Sequence, residues 1–106
     1  PSIKDVKNSK LLGADCIEIH TGHLSNLVKS KRNYSKEFNK ILNCSFLANS
    51  LGLEVHAGHG LDFKTTKILS KIKFIQEYNI GHFLIGESIF YGLSKIIKKF
   101  KKINKK

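Results

Sequence analysis

The stretch Glu54-Val55-His56-Ala57-Gly58-His59 closes a strand-like apolar run, and the chain contains two counterparts of it. Residues 18–23 read Glu-Ile-His-Thr-Gly-His and residues 77–82 read Glu-Tyr-Asn-Ile-Gly-His, so all three share the pattern Glu-x-(His/Asn)-x-Gly-His. The copies begin 36 and then 23 residues apart, which is about one strand–loop–helix unit each. Core packing has no need of a carboxylate, a glycine and a histidine at matched positions. The repeat therefore predicts one functional rim, built from three strand ends.

The segments between these copies alternate in type. Apolar spacing and capping residues predict a helix at 2–12 capped by Ser2, and one from Ser35 to Gly52 capped by Ser35. They also predict strands at 15–19, 53–56 and 73–79, a short helix at 64–71, and a last helix from about Phe83. Residues 20–34 show little periodicity and are expected to form a long functional loop, and 57–63 an exit loop. This αβαβαβα order predicts parallel strands joined by right-handed crossovers.

Strand alternation assigns faces to the side chains. Glu18 and His20 share one side of their strand, while Ile17 and Ile19 share the other, and the later copies repeat this division. An open doubly wound sheet would need apolar residues on both faces. A polar inner face near the strand ends is typical of a (β/α) barrel at its mouth. We therefore expect an α/β fold that is part of a (β/α)8 TIM-type barrel, with parallel strands and outer helices.

Lysine dominates the charge of the chain. Lys and Arg number 19 against 8 Asp and Glu, which gives a formal net charge of +11 at pH 7, and Arg32 is the single arginine. Aromatic residues do not interleave with the basic ones as base-stacking platforms would. We therefore expect no nucleic-acid partner, and a solvated lysine exterior whose field favours anionic substrates.

The remaining bulk features indicate compartment and size. The apolar runs are far too short to span a bilayer, and the first residues lack a signal-peptide pattern. Cys16 and Cys44 have no metal or redox spacing, which favours buried free thiols in a reducing compartment. A chain of 106 residues with 41% apolar content suits one domain or part of one. We expect a cytoplasmic chain without a membrane partner.

Two residues are the main candidates for chemistry. His59 lies between Gly58 and Gly60, where little local packing would hold it, and histidine titrates near neutrality, as proton transfer requires. A plain surface-loop histidine is the alternative. Glu18 would sit inside the barrel, where a carboxylate needs a partner or a catalytic role. A structural hydrogen bond to His20 is the alternative there.

The third strand end suggests an anion site. Gly81 and His82 lead into the last helix, and a glycine beside a helix N-terminus exposes backbone N–H groups to a phosphate. The loops after the last strands of a (β/α) barrel are its usual phosphate site. A glycine turn with a capping histidine explains the same residues equally well.

Two other functions are open at this point. The pairs His20-x-x-His23 and His56-x-x-His59 could converge on zinc or iron in a metal-dependent lyase or hydrolase. The last helix could instead make the chain a basic binding module for a membrane surface or a partner, because a lysine face accompanies its apolar stripe. A solvated outer helix of the barrel is the simpler explanation of that helix.

Three stretches together resemble the pyridoxine 5'-phosphate synthase family: residues 13–22, residues 51–61, and residues 77–82 followed by Gly92-Leu93. The resemblance runs along the whole chain, with the motifs in family order. It implies a cytoplasmic barrel enzyme of vitamin B6 synthesis. Such an enzyme condenses 3-amino-2-oxopropyl phosphate with 1-deoxy-D-xylulose 5-phosphate, without metal or organic cofactor.

The resemblance also implies residue roles. His59 matches the proton donor, Glu18 the transition-state stabiliser, and Gly60, Gly81 and His82 match substrate-binding residues. His56 departs from the family pattern, which more often has asparagine there, and His23 has no counterpart in the family motif.

The similarity covers only the C-terminal portion of such a barrel. Residues 1–106 are expected to form a single partial domain of three strand–helix units, which alone would lack synthase activity and would self-associate or dock with the missing portion. Its expected partners are phosphorylated small molecules and further copies of the chain, as a homo-oligomer.

Overall fold

The computed structural model describes residues 1–80 and 93–104, so Gly81 and His82 lie outside the described residues. Within this part the elements alternate as the sequence predicts, with one additional helix. They are α1 (Ile3–Leu11), β1 (Cys16–His20), α2 (Gly22–Lys29), α3 (Ser35–Ser50), β2 (Glu54–Gly58), α4 (Phe63–Leu69), β3 (Ile75–Asn79) and α5 (Leu93–Ile103). The predicted start of the last helix near Phe83 also falls outside the described residues.

The three strands form one parallel sheet in the order β1-β2-β3, which confirms the predicted parallel α/β arrangement. Glu18 lies level with His56, and His20 lies level with Gly58. Ile19, Val55 and Ala57 alternate with these residues and are buried. They belong to the same apolar core as Leu24, Ile41 and Leu69 of the helices. One face of the sheet is therefore covered by helices, and the other is polar.

A bulge in β3 sets the phase of that polar face. Val55 pairs with Ile75 and His56 pairs with Glu77, so Gln76 is an extra residue with no partner in the β2–β3 register. Its side-chain Oε1 accepts a hydrogen bond from the Val55 N–H at 3.1 Å. Strict alternation would put the buried Ile75 on the same side as Glu77. The extra residue separates them, which leaves Ile75 in the core and Glu77 beside His56.

The region predicted as a long loop at residues 20–34 contains helix α2, so that prediction was wrong in part. Leu24 and Val28, four residues apart, are buried, and together with Ser25 they face the core. Two apolar positions and a buried serine make too short a stripe to stand out by periodicity. Tertiary packing stabilises this helix of eight residues, which would be marginal alone.

Two smaller predictions also needed correction. Helix α3 begins at Ser35 with Tyr34 as its N-cap, and it is the Asn33 side chain that accepts from the Ser35 N–H, at 2.9 Å. Cys44 is buried as expected, and burial raises the pKa of its thiol. Cys16 is exposed, because two-residue alternation puts it on the same polar side as Glu18.

Helix α5 is amphipathic as predicted. Ile96 and Phe100 are buried, while Lys95, Lys98, Lys101 and Lys102 are exposed. The Phe100 and Phe63 rings lie 4.6 Å apart between centroids, and Lys99 Nζ lies 4.0 Å from the centroid of the Phe63 ring. Ile96 and Phe100, two residues of the apolar stripe, therefore pack inside the fold. No helix in residues 1–80 or 93–104 has the length and apolar content needed to cross a bilayer.

Candidate active site

The loop after β2 has an unusual backbone around His59. His59 has φ of +88° and Gly60 has φ of +71°. A left-handed conformation is uncommon for a residue with a side chain and is usually found where the surroundings enforce it. At Gly60 an added Cβ would also lie 2.9 Å from the Cβ of Ser25 in α2. The chain is thus held close against α2, with the His59 side chain 61% exposed on the polar side.

Glu18 lies between two groups from the ends of β2 and β3. The Asn79 side-chain amide donates a hydrogen bond to Glu18 Oε1, and His59 Nδ1 lies 3.8 Å from Glu18 Oε2. Gly58 leaves room for this carboxylate, because a Cβ at Gly58 would lie 2.8 Å from Glu18 Oε1. Glu18 therefore contacts Asn79 and His59, and the alternative of a structural hydrogen bond to His20 is not what the structure shows.

His20 packs directly on His59. The two imidazole rings are stacked, with centroids 4.1 Å apart and planes inclined by 17°. The Gly22 N–H donates to His20 Nδ1 at 3.1 Å, which orients the His20 ring. A Cβ at Gly22 would lie 2.6 Å from the His20 ring, so a larger residue there would disturb the stack.

Thr21 connects the end of β1 to the loop that carries His59. Its side chain is fully buried, and its hydroxyl lies 2.7 Å from the Gly58 carbonyl oxygen and 2.8 Å from that of His59. Its N–H also donates to the Gly58 carbonyl at 2.8 Å. Sequence reasoning had assigned no role to Thr21. A hydroxyl placed directly after a strand end was the only available signal.

A second polar cluster lies below this rim. His56 Nε2 is 3.3 Å from Oε2 of Glu54 and 3.3 Å from Oε2 of Glu77, although neither contact has the alignment of a hydrogen bond. The His56 side chain is only 18% exposed. His56 stands where the resembled family more often has asparagine. Its imidazole therefore lies between two carboxylates under the site, where asparagine would supply an amide.

The structure brings together only some of the predicted site residues. Glu18, His59 and Gly60 meet at the ends of β1 and β2, whereas His23 is exposed on the first turn of α2. Across residues 1–80 and 93–104 no three His, Cys, Asp or Glu side chains form a group able to hold a metal ion. The described residues therefore supply no ligand set for the metal hypothesis.

Comparison with known proteins gives a consistent result. The family model described as "Pyridoxal phosphate biosynthesis protein PdxJ" matches residues 1–106. A pyridoxine 5'-phosphate synthase of Pelagibacter ubique is 58% identical over 106 residues, covering 100% of this chain and 44% of the relative. Proteins of the same name from Zymomonas mobilis and a Sulfurihydrogenibium species are 43% and 41% identical, over 95% and 97% of this chain and 39% and 42% of their own lengths. The chain spans about two fifths of the length of these curated relatives.

Proposed function

This chain belongs to the family of the pyridoxal phosphate biosynthesis protein PdxJ, and from that premise we propose that it carries part of the active site of a pyridoxine 5'-phosphate synthase. In this proposal residues 1–106 are a single partial domain, the C-terminal three strand–helix units of a (β/α)8 barrel. Three parallel strands with helices on one face and polar side chains on the other support it.

The proposed reaction joins 3-amino-2-oxopropyl phosphate to 1-deoxy-D-xylulose 5-phosphate, with release of phosphate and water. Both substrates are small phosphate esters, and the net charge of +11 favours the approach of such anions. The chemistry consists of carbonyl condensation and elimination, which general acids and bases can catalyse. The proposal therefore includes no metal and no organic cofactor.

His59 is the proposed proton donor. The observation that carries this assignment is the contact of its Nδ1 with Glu18 Oε2 at 3.8 Å, on a side chain that is 61% exposed. With Nδ1 directed at the carboxylate, Nε2 remains for a leaving oxygen or a carbonyl oxygen of the substrate. The stacked His20 ring and the left-handed backbone restrict the directions in which His59 can point.

Glu18 is the proposed transition-state stabiliser. Its carboxylate is oriented by the Asn79 amide, which donates a hydrogen bond to Oε1. Positive charge develops on nitrogen as the amine of one substrate condenses with the carbonyl of the other. A fixed carboxylate beside that nitrogen would stabilise this charge without reorganising during the reaction.

Gly60, Gly81 and His82 are the proposed substrate-binding residues. Gly60 directly follows His59, so its main chain lies beside the proposed proton donor. Gly81 and His82 come after β3 and Ile80 in the sequence, and the loops after the last strands of a barrel are where it usually binds phosphate. Self-association into a homo-oligomer stays a prediction, which sedimentation equilibrium of the complete enzyme would check.

The test is a chimera in which residues 1–106 replace the matching segment of the Pelagibacter ubique synthase. We expect the chimera to form pyridoxine 5'-phosphate and residues 1–106 alone to be inactive. His59→Ala should lower kcat by on the order of 10²–10⁴-fold, as expected for the loss of a general acid.

His23→Ala is the matched control, since His23 is an exposed histidine of the same chain that lies on α2. It should leave kcat within about twofold of the parent chimera. Near-parental turnover of the His59 variant would refute the proton-donor role. An active protein made of residues 1–106 alone would refute the partial-domain proposal.

A further inference from the structure

We propose that Thr21 is a positioning residue for His59, holding the imidazole over Glu18 through the backbone of the β2 exit loop. The inference rests on the proposed function of His59 and adds a residue to which no role is assigned. Its basis is the hydroxyl contact with two successive carbonyl oxygens, 2.7 Å to Gly58 and 2.8 Å to His59.

The two contacts constrain the peptide units on both sides of the His59 Cα. A threonine hydroxyl has one proton, which is shared here between two acceptors in a three-centre hydrogen bond. Both carbonyls can reach one buried donor only if the chain turns sharply between them. His59 accordingly has φ of +88°, a value that L side chains rarely adopt. The hydroxyl thus holds in place the backbone strain on which the direction of the His59 side chain depends.

Thr21 does not use its side chain in the way its position suggests. It is the N-cap residue of α2, where a threonine side chain ordinarily accepts a hydrogen bond from an N–H of the first turn. No such capping bond is made by Thr21. Its hydroxyl instead reaches across to a loop 37 and 38 residues away in sequence. A purely helix-stabilising role would leave the hydroxyl on its own helix.

Removal of the hydroxyl has a defined consequence for the site. Without the donor, the His59 carbonyl is free to rotate and φ can relax to negative values. The imidazole would then leave both the His20 ring, whose centroid is 4.1 Å away, and the Glu18 carboxylate 3.8 Å from Nδ1. The expected defect is therefore misplacement of the proton donor with the substrate-binding surface largely intact.

The chain offers matched variants for a test. Thr21→Val keeps the shape of the side chain and removes the donor, while Thr21→Ser keeps the donor and removes a methyl group. Thr66→Val is the control for losing a buried threonine hydroxyl, since Thr66 is 1% exposed and its hydroxyl has no partner among the described residues.

In the chimera we expect Thr21→Val to lower kcat by on the order of 10–100-fold with little change in KM, the range expected for a misplaced catalytic group. Thr21→Ser should recover most of that loss, and Thr66→Val should keep parental kcat. Equal losses in Thr21→Val and Thr66→Val, no rescue by serine, or unchanged kcat in Thr21→Val would each overturn the proposal.

A second measurement separates this inference from the proposed function. In NMR spectra of the chimera, stacking on His20 shifts the ring-proton resonances of His59, and Thr21→Val should abolish that shift whereas Thr66→Val should not. If the parent chimera is inactive, the proposed function fails, and this readout still decides whether Thr21 positions His59. Unchanged ring-proton resonances of His59 in Thr21→Val would refute the positioning role, whatever the activity of that variant.

Discussion

Gly58→Ala should abolish most of the proposed catalysis while barely changing stability. The new methyl group would lie 2.8 Å from both Cδ and Oε1 of Glu18 and 3.1 Å from Oε2, and ordinary van der Waals contact begins at 3.4 Å. The backbone of Gly58 lies in β2 and has no left-handed strain, so the conflict is with the end of a flexible side chain. Glu18 must therefore retreat by about 0.6 Å or more.

The expected loss follows from what Glu18 contacts. A retreat of this size breaks the alignment with the Asn79 amide and lengthens the 3.8 Å approach to His59 Nδ1. Misplacement by about 1 Å can cost on the order of 10²-fold in rate, so we expect a 10–100-fold fall in kcat. Alanine lowers the conformational entropy of the unfolded chain, which stabilises the fold by about 0.4–1 kcal/mol. The weakened hydrogen bond between Asn79 and Glu18 destabilises it by about 0.5–1.5 kcal/mol. The net change in the free energy of unfolding should stay within about 1 kcal/mol.

A double-mutant cycle tests the cause as well as the size of this effect. Turnover of the chimera is measured for Gly58→Ala, Glu18→Ala and the double variant, with urea denaturation of each. If the methyl group acts by displacing Glu18, then Gly58→Ala should cost nothing further once Glu18 is alanine. Additive losses in the cycle, or full turnover in Gly58→Ala, would refute the reasoning.

Two further predictions concern stability. Burial raises the pKa of Tyr78 to about 12. Between about pH 10 and 12 the unfolded chain therefore ionises this phenol while the folded chain keeps it protonated. The contribution of Tyr78 to the free energy of unfolding is complete below about pH 10 and is lost as the pH rises towards 12. Urea denaturation from pH 9 to 11.5 should show a shallower decline for Tyr78→Phe than for wild type, with Tyr34→Phe as control, and equal slopes would contradict it. Asp62→Ala should lower the free energy of unfolding by about 1 kcal/mol, because Asp62 and Thr65 form a reciprocal capping box with 2.9 Å bonds at the start of α4. Asp15→Ala removes the same charge from an exposed position, and an equal loss in that control would show that the effect is not capping.

The sequence was sufficient to predict what depends on local pattern. Period-two alternation placed Glu18 and His56 on the polar face and Ile19 and Val55 in the core, as the burial shows. Ser2 was correctly predicted to cap α1, where its hydroxyl accepts from the Asp5 N–H at 3.4 Å. These features need only the residue and its near neighbours in the chain.

Features that depend on distant residues were not predicted. Helix α2 is stabilised by the burial of Leu24 and Val28 against the rest of the fold. The sequence of a short, largely polar segment does not show that these two residues will be buried. The role of Thr21 depends on a loop 37 residues away, and propensity alone would have made it a helix cap. The bulge at Gln76 is equally invisible locally, since its side chain replaces a hydrogen bond of the neighbouring strand.

The three copies of the repeated pattern contribute different chemistry because they are not level in the sheet. Glu18 of the first copy and Glu77 of the third lie beside His56, the third residue of the second copy. The second copy is thus displaced by two residues along its strand, a distance of about 6.6 Å. A displacement by an even number of residues keeps every side chain on its face of the sheet. Alternation in the sequence therefore predicted the face of each side chain correctly, but not its position along the strand axis.

That displacement determines which residues of the three copies are in contact. It lowers Gly58 to the level of His20 and Asn79, which brings His59 within reach of Glu18, and it places His56 level with Glu18 and Glu77. A level arrangement would have placed three equivalent Glu–Gly–His sets side by side, as the sequence suggested. The staggered register instead builds one cluster in which the first copy gives the carboxylate, the second the histidine and the third the amide that orients the carboxylate.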